Sequence, residues 1–125
     1  MNYERRKLLF GQSYYSDRTL KYYLRIKNIY EKNKEKIDKS KCNKKTKSQM
    51  KFRELILFKK NELNLFRLLR EDAKRVFETN DYKLNLVLYN LKYREDKLKL
   101  KIKYLTKLYK TRYGVSYEKN INCRW

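Results

Sequence analysis

Leu84, Leu88, Leu91, Leu98, Ile102, Leu105 and Tyr109 recur three and four positions apart over residues 82–113. That spacing aligns them on one edge of an α-helix of about eight turns, roughly 45 Å long at 1.5 Å per residue. Glu95 is the one charged residue on this seam. Both shoulders are basic: Lys92, Lys99, Lys103 and Lys110 form one row, and Arg94, Lys97 and Lys101 with Tyr104 form another. A helix with one buried edge and cations on both shoulders is suited to lie along something negative. Residues 97–103 (Lys-Leu-Lys-Leu-Lys-Ile-Lys) alternate as a half-buried strand would. The helical seam continues on both sides of them without a turn residue, and Leu and Lys favour helix over strand, so helix is the preferred reading.

Two further segments carry the helical period. Leu20, Tyr23, Leu24, Ile26, Tyr30 and Ile37 predict a helix from Asp17 to about Ile37, with Ser16 or Asp17 as its N-cap. Phe52, Leu55, Ile56, Leu63, Phe66, Leu69, Ala73, Val76 and Phe77 predict helix between Met50 and Glu78, and a break near Lys59-Lys60-Asn61 would make it two. Arg67, Arg70, Lys74 and Arg75 occupy its other side. Asn80-Asp81 is a stop-and-cap signal, Asp81 can open the long helix, and Gly114 suits its left-handed C-cap. Ser116 is placed to cap a short terminal helix carrying Tyr117, Ile121 and Trp125.

The remaining stretches are polar. Residues 1–16 hold Arg5, Arg6 and Lys7, then Tyr14 and Tyr15 around Gly11. This is either a frayed terminus or an irregular arm whose tyrosines stack on bases and whose cations meet phosphates. Residues 38–48 contain no aliphatic side chain and five lysines, Lys44 and Lys45 among them. Such a run is a solvated linker or a phosphate-binding loop, and on so basic a chain the second is preferred.

Composition narrows the class. The 125 residues include no Pro and two Gly, which makes an all-α chain the economical reading. The expected architecture is a helical hairpin or small four-helix bundle with a basic, partly extended N-terminal arm. With 35 Lys plus Arg against 14 acids, the formal charge is +21. Self-repulsion on that scale opposes compaction, so much of the chain is expected to order only beside a polyanion. No apolar run is long enough for a transmembrane helix or secretory core. Residues 1–10 carry a weak organelle-targeting character. Abundant Lys, Asn, Tyr and Ile, one Ala and no Pro point to an A/T-rich coding genome, such as an organelle's, in which case no targeting segment is needed.

Catalytic and metal chemistry are not predicted. There is no His, no glycine-rich phosphate loop and no nucleophile elbow. Glu71-Asp72 and Glu95-Asp96 are adjacent on helices, so each side chain is expected to pair with a nearby Lys or Arg. Cys42 and Cys123 cannot supply the usual four zinc ligands, and free thiols in a reducing compartment are expected ahead of a disulfide. No cofactor is implied. Thirteen tyrosines stand among the cations; most are expected in the core and about a third where a ring can stack on an unpaired base.

Tyr104-Leu105, six residues, Arg112-Tyr113, Glu118-Lys119 and a closing Arg124 follow a spacing found in a known family. Lys51-Phe52-Arg53 and Glu62-Leu63-Asn64 with Leu68 match it further upstream. Residues 51–125 thus resemble the small-subunit ribosomal protein S-fifteen family of four-helix RNA-binding proteins. Lys59-Lys60-Asn61 stands where that family has a threonine-glycine-serine turn, and the histidine, aspartate and serine of its middle loop have no clear counterparts. The resemblance implies binding at a junction of small-subunit RNA and a part in early assembly, with Tyr104 and its neighbouring lysines as the RNA surface. It divides the chain into a basic extension, residues 1–50, with one helix and a Lys-rich linker, and a helical RNA-binding domain, residues 51–125.

The expected function is therefore a structural constituent of an organellar small ribosomal subunit. Its partners are ribosomal RNA and neighbouring ribosomal proteins, with neither a membrane nor a small-molecule substrate. It is placed on ribosomes of the mitochondrial matrix or another organelle ahead of the cytoplasm. The RNA contacts are assigned to Arg5 and Arg6 in the arm, Lys44 and Lys45 in the linker, and Arg53, Lys59, Lys60, Arg67, Arg70 and Lys74 in the middle segment. Arg94, Lys97, Lys101, Tyr104, Lys107 and Arg112 complete the set on the long helix. The alternatives are an accessory helical subunit of a protein complex and a DNA-compacting basic protein.

Overall fold

Ser16 starts the first helix by accepting the Thr19 backbone N–H on its side chain (3.3 Å), which satisfies one of the free donors of the first turn. Helix α1 runs Asp17–Lys39 and ends where Ser40 donates both its backbone N–H and its hydroxyl to the Ile37 carbonyl (3.1 and 2.7 Å). Only residues 40–43 separate it from α2, Lys44–Val76, which is capped by the Asn43 side chain accepting from Thr46 N (2.8 Å). Helix α3 follows as Tyr82–Tyr113. These elements come from a computed structural model that describes residues 15–77, 82–121 and 123. The fold is all-α. Asp81, the expected opener of α3, lies outside the described residues.

Two expectations for the middle of the chain are corrected. Most of the Lys-rich run is helical, because Asn43 supplies a cap and no Pro or Gly follows. The break near Lys59-Lys60-Asn61 does not form either. Lys59 pairs with Glu62 one turn on (3.0 Å), and Tyr22 of α1 holds both Asn61, by donating to its carbonyl (3.3 Å), and Asn64, by accepting from its amide (3.1 Å). The 50/51 boundary drawn from the resemblance thus falls inside one continuous helix, against which α1 packs.

α2 is the central element. Ile37 of α1 packs near Met50 while Thr19 meets Asp72, so α1 runs antiparallel along it. Gln49 meets Tyr109 while Arg70 meets Glu95, so α3 does the same. Among the described residues no Cα of α1 comes within 8 Å of one in α3. One apolar cluster nevertheless draws on all three helices: Leu20, Tyr23 and Ile26, then Leu65, Phe66 and Leu69, then Leu91, Leu98 and Ile102. The α3 seam faces α2 as its period requires, with Leu84, Leu91, Leu98, Ile102 and Tyr109 buried and Leu88 and Leu105 half-buried. Leu24 of α1 departs from its expected burial and is exposed.

The chain turns back after α3. Gly114 adopts φ +73° and donates its N–H to the Lys110 carbonyl (2.8 Å), the left-handed cap its position predicted. The expected terminal helix does not follow. Ser116 instead closes a turn, accepting Glu118 N on its hydroxyl (3.2 Å) and Lys119 N on its carbonyl (3.1 Å). Tyr117 is buried against Ile56 and Tyr109, and Arg53 Nε donates to its carbonyl (2.6 Å). Trp125 lies outside the described residues.

Ile121 and Cys123 then reach the α1–α2 turn, where Cys42 and Cys123 form a disulfide with a Cα–Cα distance of 6.2 Å. The expectation of free thiols is overturned. Two antiparallel helices of nearly equal length return the end of α3 to the start of α2, joining residues 81 positions apart. In the chain-entropy account, closing a loop of that size stabilises the fold by about 4 kcal/mol.

Candidate nucleic-acid interface

Four acids of this chain are turned away from solvent. Glu54, Glu62, Asp72 and Glu95 are buried, each turned to a neighbouring helix or to a cation beside it. Glu54 accepts from Asn33 Nδ2 (3.2 Å), and Glu95 is paired with Arg70 across the α2–α3 contact (3.1 Å). Asp72 accepts from Thr19 Oγ1 (2.5 Å) and Ser16 N (2.9 Å) at the positive end of α1, and it pairs with Arg75. Burial would raise the Asp72 pKa. The Thr19 and Ser16 hydrogen bonds, then the Arg75 charge, outweigh it and hold the carboxyl below its ordinary value. Burial, then the charges of Glu62 and Glu31, push the Tyr23 hydroxyl up. The acid pairs behave as expected: Glu71 meets Arg18 (2.7 Å) and Arg67 (3.2 Å), and Asp96 meets Lys92 (3.1 Å). With four acids buried, those left exposed among the described residues are Asp17, Glu31, Glu35, Asp38, Asp96 and Glu118.

Cations converge at two grooves. The first, of about 240 Å³, lies between α2 and α3 and is lined by Lys59, Glu62, Arg94, Lys97, Leu98 and Lys101. Glu62 forms its floor. The Lys59 ammonium stands 3.0 Å from Glu62 Oε1 but off the hydrogen-bond direction. On the rim Arg94 donates to Asn90 Oδ1 (3.0 Å), and Lys97 lies 4.8 Å from the centroid of the Tyr93 ring. Neither Arg94 nor Lys97 nor Lys101 has an ion pair among the described residues, so all three charges are available to an incoming anion.

The second groove, about 490 Å³, is lined by Lys44, Lys45, Ser48, Arg112 and Tyr113, where α3 ends beside the start of α2. The first turn of α2 contains no acid, so its N-terminal dipole adds to the lysines. Arg112 stacks its guanidinium 5.4 Å from the Phe52 ring centroid, which orients it without neutralising it. A third hollow, about 510 Å³, holds Arg18, Tyr22, Asn64, Arg67 and Leu68. Both of its arginines are already paired with Glu71, which makes it the weaker anion site.

Seven of the expected contact residues thus meet in the two open grooves. The others have different settings. Arg53 and Lys60 hold the tail, since the Lys60 ammonium bonds the Tyr117 hydroxyl and lies 4.9 Å from its ring centroid. Arg70 pairs with Glu95 across the α2–α3 contact, and the exposed Arg67 pairs with Glu71 on its own helix. Lys74, Lys107 and Tyr104 are exposed. Arg5, Arg6 and Tyr14 lie outside the described residues, whereas Tyr15 packs against the central cluster and is not an open stacking ring.

Sequence reading missed the outer face of α3. Tyr82, Tyr89 and Tyr93 are 73%, 75% and 53% exposed, with Leu86 and Leu100 exposed beside them. Their spacing of seven and four was readable, but the stronger leucine period drew attention to the opposite face. No protein-family model matches the chain, and neither a curated protein nor a solved structure matches it.

Proposed function

We propose that the protein is a non-catalytic RNA-binding component of a ribosome, in the small subunit of an organelle, that holds ribosomal RNA by its phosphates. The observation that carries this reading is the pair of open grooves in which Lys59, Arg94, Lys97 and Lys101, and then Lys44, Lys45 and Arg112, gather while the buried acids face inward. RNA neutralises such a surface and releases its own counterions on binding. The resemblance of residues 51–125 to a ribosomal family supports the ribosome as the setting, with an RNA junction as target and a part in early assembly.

The test is RNA affinity measured by fluorescence anisotropy across a salt series. Affinity is expected to fall by orders of magnitude from low to moderate salt. Replacing Arg94, Lys97 and Lys101 together by Ala is expected to lower the slope of log affinity against log salt by about 2 to 3, since each phosphate contact contributes roughly 0.7 to 0.9. Helicity by circular dichroism should be unchanged. An intact chain that binds no RNA, or binds it independently of salt, refutes the proposal. The exposed apolar residues of α3 favour one second reading, an accessory subunit of a protein complex, and salt-independent association with a protein would select it.

A further inference from the structure

α3 has two apolar faces and only one of them is covered. At 100° per residue, Leu84, Leu91, Leu98, Ile102 and Tyr109 point to α2, while Tyr82, Leu86, Tyr89, Tyr93 and Leu100 fall diametrically opposite. A surface helix with a stripe on each side has a second face in need of a partner. We infer that this outer face of α3 is a docking site for single-stranded RNA, with unpaired bases stacking on Tyr82, Tyr89 and Tyr93 and phosphates following Arg94, Lys97 and Lys101. The inference rests on the RNA-binding reading above and adds the class of RNA and the residues that select it.

Three features choose the occupant. The stripe shares its border with the first groove, because Arg94, Lys97 and Lys101 lie between the two, so a strand whose phosphates enter the groove presents its bases to the tyrosines. Tyr89 and Tyr93 are about 6 Å apart along the helix axis. Rings one turn apart on an exposed face can each take a base of a splayed single strand. Lastly, Lys97 stands at the edge of the stripe with its ammonium over the Tyr93 ring. An ammonium at that edge penalises a dry helix–helix contact but suits a strand that carries a phosphate at every step.

The alternatives meet specific obstacles. Two copies joined by this face would set Lys92, Lys99 and Lys103 and their neighbours against their own kind on a chain of formal charge +21. Paired RNA offers its phosphates to the same cations but hides the faces of its bases from a flat ring. Stacking on tyrosine is therefore the property that separates a single strand from a duplex here.

The experiment compares a labelled oligouridine 12-mer with a 12-base-pair RNA duplex, by fluorescence anisotropy, on the full oxidised chain. The double variant Tyr89→Ala/Tyr93→Ala is expected to weaken oligouridine binding by at least about 10-fold, since one stacked ring contributes roughly 5- to 150-fold. Its salt slope, duplex affinity and unfolding midpoint should stay unchanged. Tyr89→Phe/Tyr93→Phe, which keeps the rings, should restore binding. Should the Ala variant fail to fold, Tyr89→Leu/Tyr93→Leu retains the bulk without the flat ring and is read in its place. Oligouridine binding that stays within twofold, or an equal loss on single strand and duplex, overturns the site even while salt-dependent RNA binding continues. An oligomer dissolved by the same variants also overturns it, in favour of self-association. Absence of salt-dependent binding to either RNA removes this inference and the proposed function together.

Discussion

α2 and α3 are nearly equal in length, at 33 and 32 residues, yet they distribute their apolar side chains differently. α2 lies between two helices, and its Ile56, Leu65, Phe66 and Leu69 are all but inaccessible, with Val76 its one exposed large hydrophobe among the described residues. α3 packs on α2 alone among the helices. It nevertheless exposes Tyr82, Leu86, Tyr89, Tyr93, Leu100 and Tyr104. The packing of the fold accounts for every large apolar residue of α2 except one near its end. On α3 it accounts for one face only, and the other face is what the fold alone does not explain.

The largest expected effect tests that contrast directly. Phe66→Ala in α2 should cost about 3–5 kcal/mol in guanidinium unfolding, because it empties a fully enclosed site. Tyr89→Ala on the outer face of α3 should stay within about 0.5 kcal/mol. Similar costs at the two positions would abolish the distinction between the helices. Next comes the covalent tie that keeps the end of α3 near the start of α2. Cys42→Ser/Cys123→Ser should lower stability by about 4 kcal/mol, read from the same unfolding curves.

The ion pair across the α2–α3 contact gives a smaller but sharper comparison, because Glu95 faces inward and its neighbour Asp96 outward. Arg70→Ala, which strands the Glu95 carboxylate, should cost about 3 kcal/mol. Lys92→Ala at the exposed Asp96 pair should cost less than about 0.5 kcal/mol by the same measurement. Smallest of the core changes is Asp72→Asn, expected to remove about 2 kcal/mol from the tie between α1 and α2. This contribution depends on pH. The folded-state pKa lies below the ordinary value, so the stabilisation is complete above the unfolded-state pKa of about 4 and is lost as pH falls through the folded value. Urea midpoints should therefore separate wild type from Asp72→Asn at pH 7 and converge toward acid. A gap independent of pH would mean that Asp72 acts by shape and not by charge.

The candidate interface was only partly readable in the sequence. Lys44, Lys45, Lys59, Arg94, Lys97, Lys101 and Arg112 were visible as cations on polar faces, but on so basic a chain that description fits Arg67 and Arg70 equally well. What sets Arg70 apart is the carboxylate opposite, Glu95, which meets it from 25 positions away, whereas Lys59 and Arg67 each meet one a turn away on their own helix. The outer tyrosines escaped for a related reason. Tyr82, Tyr89 and Tyr93 have a helical spacing of their own, but spacing cannot say which of two apolar faces a single neighbour will cover.

The all-α class, the seam of α3, the Ser16 cap and the Gly114 cap were set by the sequence alone. Each depends on a side-chain period or a cap completed within four residues, so local sterics and hydrogen bonding suffice to specify it. Tertiary structure decided the unbroken course of α2, the return of Tyr117, the Cys42–Cys123 bond and the inward turn of Glu54, Asp72 and Glu95. Those features join residues tens of positions apart, and they arise only when antiparallel packing of three long helices brings their ends and facing sides together.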